Sequence, residues 1–508
     1  MAPQPTLFHD SADVVRTSIN FDTHLRSAIF AASIREDSGF DDAEGAEIWT
    51  CSDPTGLEGP LSPLTTPPSS REATPHQRTT SLPDPSPSGL QSAASTATAE
   101  QLPGVAPHQG RRISPAEKQR QRAHKAAQRR RKRAAKRMSQ DAWDYAPPLS
   151  ILDKFKDVAH VQCDISVRDF SRAQGAWIGI NPRTAEDAED DPWTLEELLA
   201  AGFQLHPWDG RAATLLTDKN GRGIGGLVGR PANDDTWDRN AKEIVDVLTH
   251  AGEELRFGRY ECLPVPSGGC EDNRRGGFAT AAVGVSFGGG QTVPGNLKHT
   301  VHNQRVLDDV LQSNCIRRAL KYGSNSLAFY APKLYKYYAR TSRRLHAHHP
   351  RLRRIYKGTV FPALSLNFGP QAICVKHKDH NNLADGLCWI LSLGDFDPKC
   401  GGHLVLWELG LVIEFPPGSC VLIPSAVISH SNVPIRPHET RLSMTQYAAG
   451  GLFRWVEYGY ATWDDFLERE PVRAKAMKKS RATRWRKAVT RFSKLQELHE
   501  DRVKVFAQ

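Results

Sequence analysis

His377 and Asp379 stand two apart in the segment VKHKDHNN. On an extended strand, residues i and i+2 point to one face. One imidazole and one carboxylate there could take adjacent positions on a metal, and a second histidine would complete a two-His-one-carboxylate facial triad. The sequence offers His430 at the end of PPGSCVLIPSAVISHSN, behind a tight turn at Pro417-Gly418 and a buried strand. Eleven residues later comes Arg441, with Ser443 two beyond it on the same strand face. A guanidinium inside a barrel needs an anion, and it grips a carboxylate bidentately. A facial triad leaves three coordination positions open. Two would take the keto acid of 2-oxoglutarate and the third O2, with the metal an Fe(II) held by His377, Asp379 and His430, and with Arg441 and Ser443 on the far carboxylate of the co-substrate.

None of these residues is persuasive alone. His499-Glu500-Asp501 repeats the H-x-D pattern, but it falls in a helical tail, where i and i+2 diverge. Taken singly, His430 reads as a core histidine; the order H-x-D, His, Arg-x-Ser on a strand-rich background turns it into a ligand. His438 is a rival, but it follows Pro437 in what reads as a connecting loop. His380 and His403 read as surface histidines, with substrate or outer-layer roles as the alternative. Lys376 and Lys378 point to the face opposite His377.

The elements that must position these groups follow from apolar periodicity. After Arg354, eight short apolar runs alternate with turn signals: VFPALSLNF, AICVKH, LCWILSL, HLVLW, LVIEF, CVLIPS, RLSMTQY and LFRWV. About eight strands at 8–12-residue spacing predict a sandwich or barrel. Upstream, Thr194 and Glu197 form a capping box for a helix ended by Gly202. Residues 213–229 predict a hairpin turning at Asn220-Gly221, and helices are expected at 238–256, 303–322 and 326–347. GVSFGGGQ lacks the Gly-Lys-Ser/Thr of a phosphate-binding loop and reads as a tight turn. After Trp463 a helical tail is expected, capped by Asp464-Asp465. Trp485, Ala488, Phe492 and Leu495 would pack it back on the barrel, with its basic face outward.

Charge divides the rest. Residues 1–110 hold 14 Asp/Glu against 5 Arg and are rich in Pro and Ser, so they predict a disordered acidic region. Val14 to Ile34 carries apolar residues at roughly helical spacing and reads as a transient helix. Arg111 to Arg137 holds 13 Lys/Arg against one Glu, which points to a polyanion. Ser114, Pro115 and Glu117 supply its helical start. The expected organisation is a disordered 1–110, a basic helix over 111–140, an α+β part over 145–355, a strand core over 356–460 and a basic helical tail over 461–508. Nine scattered cysteines without a C-x-x-C pair argue against a disulfide framework and a zinc knuckle. Neither a secretory leader nor an 18-residue apolar stretch is evident. The basic block reads as a nuclear-import and DNA-phosphate element, in a chain expected to be monomeric and to have no membrane partner.

In HKDHNN, GGHLVLWELGLVIEFPPGSCVLIPSAVISHSN, TRLSMTQY and the upstream GGGQTVPG, over roughly residues 200–460, the chain resembles the ten-eleven-translocation and J-binding (TET/JBP) branch of the Fe(II)/2-oxoglutarate oxygenases, especially its fungal, transposon-associated members. The resemblance implies an α+β fold around a double-stranded β-helix, a jelly-roll or cupin-like core with flanking helices. It implies that Asn382 contacts a target base and that Tyr447 lines the substrate pocket. Asn367 resembles the Asn that related demethylases use for 2-oxoglutarate. Ala449 departs from the family, whose animal members have a histidine at that place, and the choice of base is therefore open. The implied activity is hydroxylation of a methylated base such as 5-methylcytosine in DNA. The alternatives are a protein hydroxylase of the same fold, or a nuclear DNA-binding protein with a vestigial barrel.

Overall fold

The computed structural model describes residues 114, 117, 119–129, 159–180, 192–231, 234–257, 276–288 and 291–506. The acidic region 1–110, with the transient helix expected over 14–34, lies outside them, as do residues 130–140 of the expected basic helix. Residues 119–129 are helical and exposed, and the Glu117 amide donates to Ser114 Oγ at 3.1 Å, which is the capping contact expected there. They belong to a different compact unit from residues 136–508.

The larger unit is an α+β arrangement of two principal sheets and flanking helices. Its strands are β1 (Ala159–Gln162), β2 (Arg172–Ala173), β3 (Ile178–Gly179), β4 (Gln204–His206), β5 (Thr214–Thr217), β6 (Gly223–Leu227), β7 (Thr280–Ser286) and β8 (Gly295–Asn296). They continue with β9 (Ala363–Asn367), β10 (Cys388–Asp395), β11 (Leu404–Leu406), β12 (Leu411–Ile413), β13 (Cys420–Ile423), β14 (His430–Asn432) and β15 (Thr440–Tyr447). The large sheet runs β1-β5-β6-β13-β10-β15-β9-β7-β8, and the small one β14-β11-β12-β4. Strands from both sides of residue 356 therefore share each sheet.

Period-2 alternation shows which faces meet. In the small sheet, Val405 and Val412 pack with Leu198, Phe203 and Trp407 under the helix Leu195–Ala200. Their neighbours Leu404, Leu406, Leu411 and Ile413 join the main core. In β15, Leu442 and Met444 are buried, and Gln446 donates to the Leu320 carbonyl of the helix Asn314–Tyr330. The face bearing Arg441, Ser443, Thr445 and Tyr447 is thus turned away from that helix.

The hairpin forms as expected: β5 and β6 pair antiparallel, and Gly221 takes φ +72° in the turn, a backbone region that suits glycine. Other expectations need correction. The segment expected as one helix over 303–322 is split into Val301–Gln312 and Asn314–Tyr330, because Ser313 is extended. The next helix starts at Pro332, whose ring pushes Ala331 out of the helical region. LFRWV is helical, not a strand. Leu452, Phe453, Trp455 and Val456 are all buried, at the i, i+1, i+3, i+4 spacing of one helix face within Gly450–Glu457. AICVKH is no regular strand either; it carries one isolated bridge, His377 to His430, and another, Gln371 to Arg441, lies just before it. The tail is not one helix but Trp463–Arg469, Pro471–Lys479, Arg481–Ala488 and Leu498–Phe506, broken before Pro471, at Ser480 and again between Ala488 and Leu498. Thr462, rather than the aspartates, caps the first of these; Asp464 and Asp465 occupy its first turn. Trp485, Ala488 and Phe492 are buried as expected, and Trp485 Nε1 donates to the Val167 carbonyl at 3.0 Å. No described helix is long and apolar enough to cross a membrane.

Candidate metal and anion site

His430 opens β14 and pairs with Leu406 of β11, so its side chain shares the face turned to the main core. His377 is fastened to it by a reciprocal pair of backbone bonds, His377 N–H to His430 O at 3.1 Å and His430 N–H to His377 O at 2.9 Å. Asp379 is held from the other sheet: its amide donates to the Ser425 carbonyl, just past β13, at 3.0 Å. One ligand atom from each of His377, Asp379 and His430 lies within 4.8 Å of the others, the single such group among the described residues. Nε2 of His377 is 3.9 Å from Asp379 Oδ1, and Nε2 of His430 is 4.0 Å from Asp379 Oδ2.

Both imidazoles are oriented alike. Nδ1 of His377 meets the Val375 carbonyl at 2.8 Å, and Nδ1 of His430 meets the Ile428 carbonyl at 3.2 Å. A carbonyl only accepts, so each Nδ1 carries the proton and each Nε2 keeps its lone pair for a metal. Two neutral imidazoles and a carboxylate fit an iron(II) ion and leave positions for further ligands. Sequence reasoning missed the support beneath them. Glu408 accepts from the Ser429 amide at 2.6 Å and its hydroxyl at 3.0 Å, while Lys378 Nζ sits 2.8 Å from the same carboxylate. Burial alone would raise the Glu408 pKa, but Lys378 and Ser429 hold it below the usual carboxylate value. Glu408 therefore ties the residue before His430 to the residue between His377 and Asp379. Lys376 lies over the Trp407 ring at 4.1 Å, so both lysines do point away from the site.

Arg441 is 2% exposed and forms no ion pair among the described residues. Its Nη1 donates to the Ala372 carbonyl, and its Nε has no hydrogen-bond partner. Burial pushes its pKa down to about 10, so the guanidinium stays charged at neutral pH. A buried unpaired cation is costly unless an anion joins it. Ser443, on the same face, accepts from Asn367 Nδ2 at 2.9 Å, and Asn367 Oδ1 accepts from Thr280 at 3.1 Å. Arg441, Ser443 and Asn367 thus form one polar row across β15 and β9, in the register Ser443 opposite Asn367. Such an unpaired guanidinium beside hydroxyl and amide donors fits a carboxylate such as that of 2-oxoglutarate.

The remaining predicted positions fall as follows. Asn382 is buried; its amide donates to the Asp379 carbonyl, and its Nδ2 reaches Cys388 Sγ and Ser425 Oγ, both at 3.3 Å. Tyr447 ends β15 on the Arg441 face and is partly exposed. His438 is exposed in the loop before β15. His403 is the exception to the surface reading. It is fully buried, with no hydrogen-bond partner at either ring nitrogen, and burial pushes its pKa down to about 4. The H-x-D pattern at His499 lies on a helix, with Asp501 paired to Lys333 at 2.7 Å.

No family model matches the chain, and no curated protein matches it in sequence. Among solved structures it is similar to NgTET1 in complex with 5mC DNA, at 13% identity over 51% of this chain and 90% of that one, with a TM-score of 0.32. It is similar to an oxidoreductase of the 2OG-Fe(II) oxygenase family from Burkholderia pseudomallei, at 15% identity over 43% and 93%, with a TM-score of 0.23. A third is JOX2 in complex with 2OG, Fe and JA, at 10% identity over 61% and 85%, with a TM-score of 0.24. Likenesses this distant leave the chemistry to be argued from this chain's own residues.

Proposed function

We propose that this protein is an Fe(II)/2-oxoglutarate-dependent dioxygenase that hydroxylates a methylated base, of the 5-methylcytosine type, in DNA. The observation that carries the oxygenase reading is the convergence of His377, Asp379 and His430 on one point, with both Nδ1 atoms tied back to backbone carbonyls. In this reading the two sheets close around the site as a double-stranded β-helix. His377, Asp379 and His430 would hold iron(II). Arg441 binds the far carboxylate of 2-oxoglutarate, with Ser443 and Asn367 fixing the row beside it. Bound iron(II), with 2-oxoglutarate and O2, supplies oxidative decarboxylation coupled to hydroxylation of a C–H bond. The buried walls around Arg441 and His430 exclude water, which strengthens the charge interactions inside. Tyr447 and Asn382, at the end of β15 and in the turn after Asp379, are the substrate-facing positions of this reading.

Support for DNA comes from the exposed cations of the basic helix and from the motif resemblance. Duplex DNA requires that the base leave the stack to reach the metal. The basic block also suits import into the nucleus. The deciding experiment is nucleoside mass spectrometry after incubation of the full chain with methylated duplex, iron(II) and 2-oxoglutarate. Oxidised methylcytosine that disappears in His377→Ala supports the reading. Succinate release on a peptide, with none on methylated duplex, would replace the DNA substrate with a protein one.

A further inference from the structure

The tail holds a second concentration of positive charge that the metal site does not use. From Pro471 to Gln496 there are ten Lys/Arg and no Asp or Glu. Within it, Arg473 pairs with Glu470, Arg491 with the buried Asp385, and Lys494 with Glu497. Lys475, Lys478, Lys479, Arg481, Arg486 and Lys487 are exposed and form no ion pair among the described residues. Arg484 is half-buried, and its Nε has no hydrogen-bond partner. Solvated cations left unpaired over two successive helices raise the local potential and attract a polyanion.

This surface is firmly mounted and is joined to the metal-binding turn. Trp485, Ala488 and Phe492 anchor it in the core. The Arg484 guanidinium lies over the Trp177 ring at 4.2 Å, and a side chain added at Gly175 would meet Arg481 Cγ at 3.2 Å. Trp177 belongs to the β2–β3 hairpin, which is bonded directly to the segment after Asp379. The Gly179 amide donates to the His380 carbonyl at 2.7 Å, and Ala384 donates to the Trp177 carbonyl at 3.2 Å. One aromatic ring and one hairpin separate the cations from the turn that carries Asp379 and Asn382.

We infer that the helices Pro471–Lys479 and Arg481–Ala488 form a binding surface for the sugar-phosphate backbone of a duplex nucleic acid, placed to hold it beside the metal site. The inference deepens the proposed function and rests on it for the base that enters the site. A membrane surface suits the same charge less well. A membrane-lying helix needs an apolar face opposite its cations, whereas Pro471–Lys479 buries only Ala474 and exposes Val472 among cations on several sides.

The test is fluorescence anisotropy of a labelled methylated duplex with the full chain, without iron or 2-oxoglutarate, over a range of salt. The variant Lys478→Ala/Lys479→Ala/Arg486→Ala/Lys487→Ala should bind more weakly. Its plot of log K against log salt should be shallower by about 3 to 4, at roughly 0.9 per lost phosphate contact. Lys242→Ala/Lys298→Ala, which removes two exposed cations elsewhere, should keep the wild-type slope. Wild-type slope and affinity in the quadruple variant would overturn the inference, as would wild-type binding to phosphatidylserine vesicles in preference to duplex. Duplex binding lost in the variant, in a chain that never releases succinate, keeps the surface and sinks the oxygenase. Succinate release by a quadruple variant that binds duplex like the wild type does the reverse.

Discussion

The metal end and the anion end of the site are built in opposite ways. Arg441, Ser443 and Asn367 sit on regular strands, and β15 pairs with β10 and β9 over seven and five residues. Continuous register fixes where each of those side chains points. His377 and Asp379 sit on no strand. They are held by a pair of backbone bonds to His430 and one to Ser425, and by the Glu408–Lys378 contact behind them. The anion end is therefore rigid through the sheet but carries an uncompensated charge. The metal end sets the Asp379 carboxylate beside two neutral imidazoles and depends on a few tethers. A fold can set the group that grips an anion where the backbone is strongest and leave two of three metal ligands, His377 and Asp379, on segments that can adjust.

That contrast predicts different failures. Removing a metal ligand should be the most damaging change. Asp379→Ala or His430→Ala should abolish iron retention, a larger loss than the roughly 10–100-fold that changing an outer partner costs. Metal analysis of the purified variants checks this. Arg441→Met should separate stability from function. Loss of a buried charged partner costs about 2 kcal/mol or more of 2-oxoglutarate binding, roughly 30-fold in affinity or beyond. Without co-substrate the same variant should melt at or above the wild-type temperature, because it removes a buried charge with no counter-ion. A lowered melting temperature would show that Arg441 is paired in the free protein and would erase the contrast.

Smaller effects sharpen the tether side. Glu408→Gln should weaken iron affinity by about 10- to 100-fold while leaving the fold intact. A wild-type iron titration would remove Glu408 from the account. His403 tests the small sheet beneath. Its folded pKa is about 4, below the ordinary histidine value of 6.5, so the unfolded chain binds the proton more readily as pH falls. Its contribution is full above pH 6.5 and is lost between there and about pH 4, at most about 3 kcal/mol. His403→Leu should flatten that part of the pH-stability curve in chemical denaturation.

The same contrast governs what was legible in the residues. Arg441 and Ser443 could be read from strand alternation, because a regular strand has a fixed period. His377 and Asp379 were found by the right spacing but the wrong element, since their shared direction comes from tertiary tethers and not from a strand. Glu408 gave no signal, because nothing local marks a carboxylate that reaches a backbone amide twenty-one residues away. His403 looked like a surface histidine; only the burial of β11's start shows otherwise. LFRWV was ambiguous for a different reason. A five-residue apolar run fits either period, and Gly450 and Gly451 ahead of it hid the helix start.

In the proposed function, one pocket binds iron(II) through His377, Asp379 and His430 and 2-oxoglutarate through Arg441. Anaerobic calorimetric titration of the full chain with 2-oxoglutarate, with and without iron(II), tests it most directly. Binding should strengthen markedly when iron(II) is present, lose that gain in Asp379→Ala, and disappear in Arg441→Met. Equal affinity with and without iron(II), or unchanged binding in Arg441→Met, would contradict it.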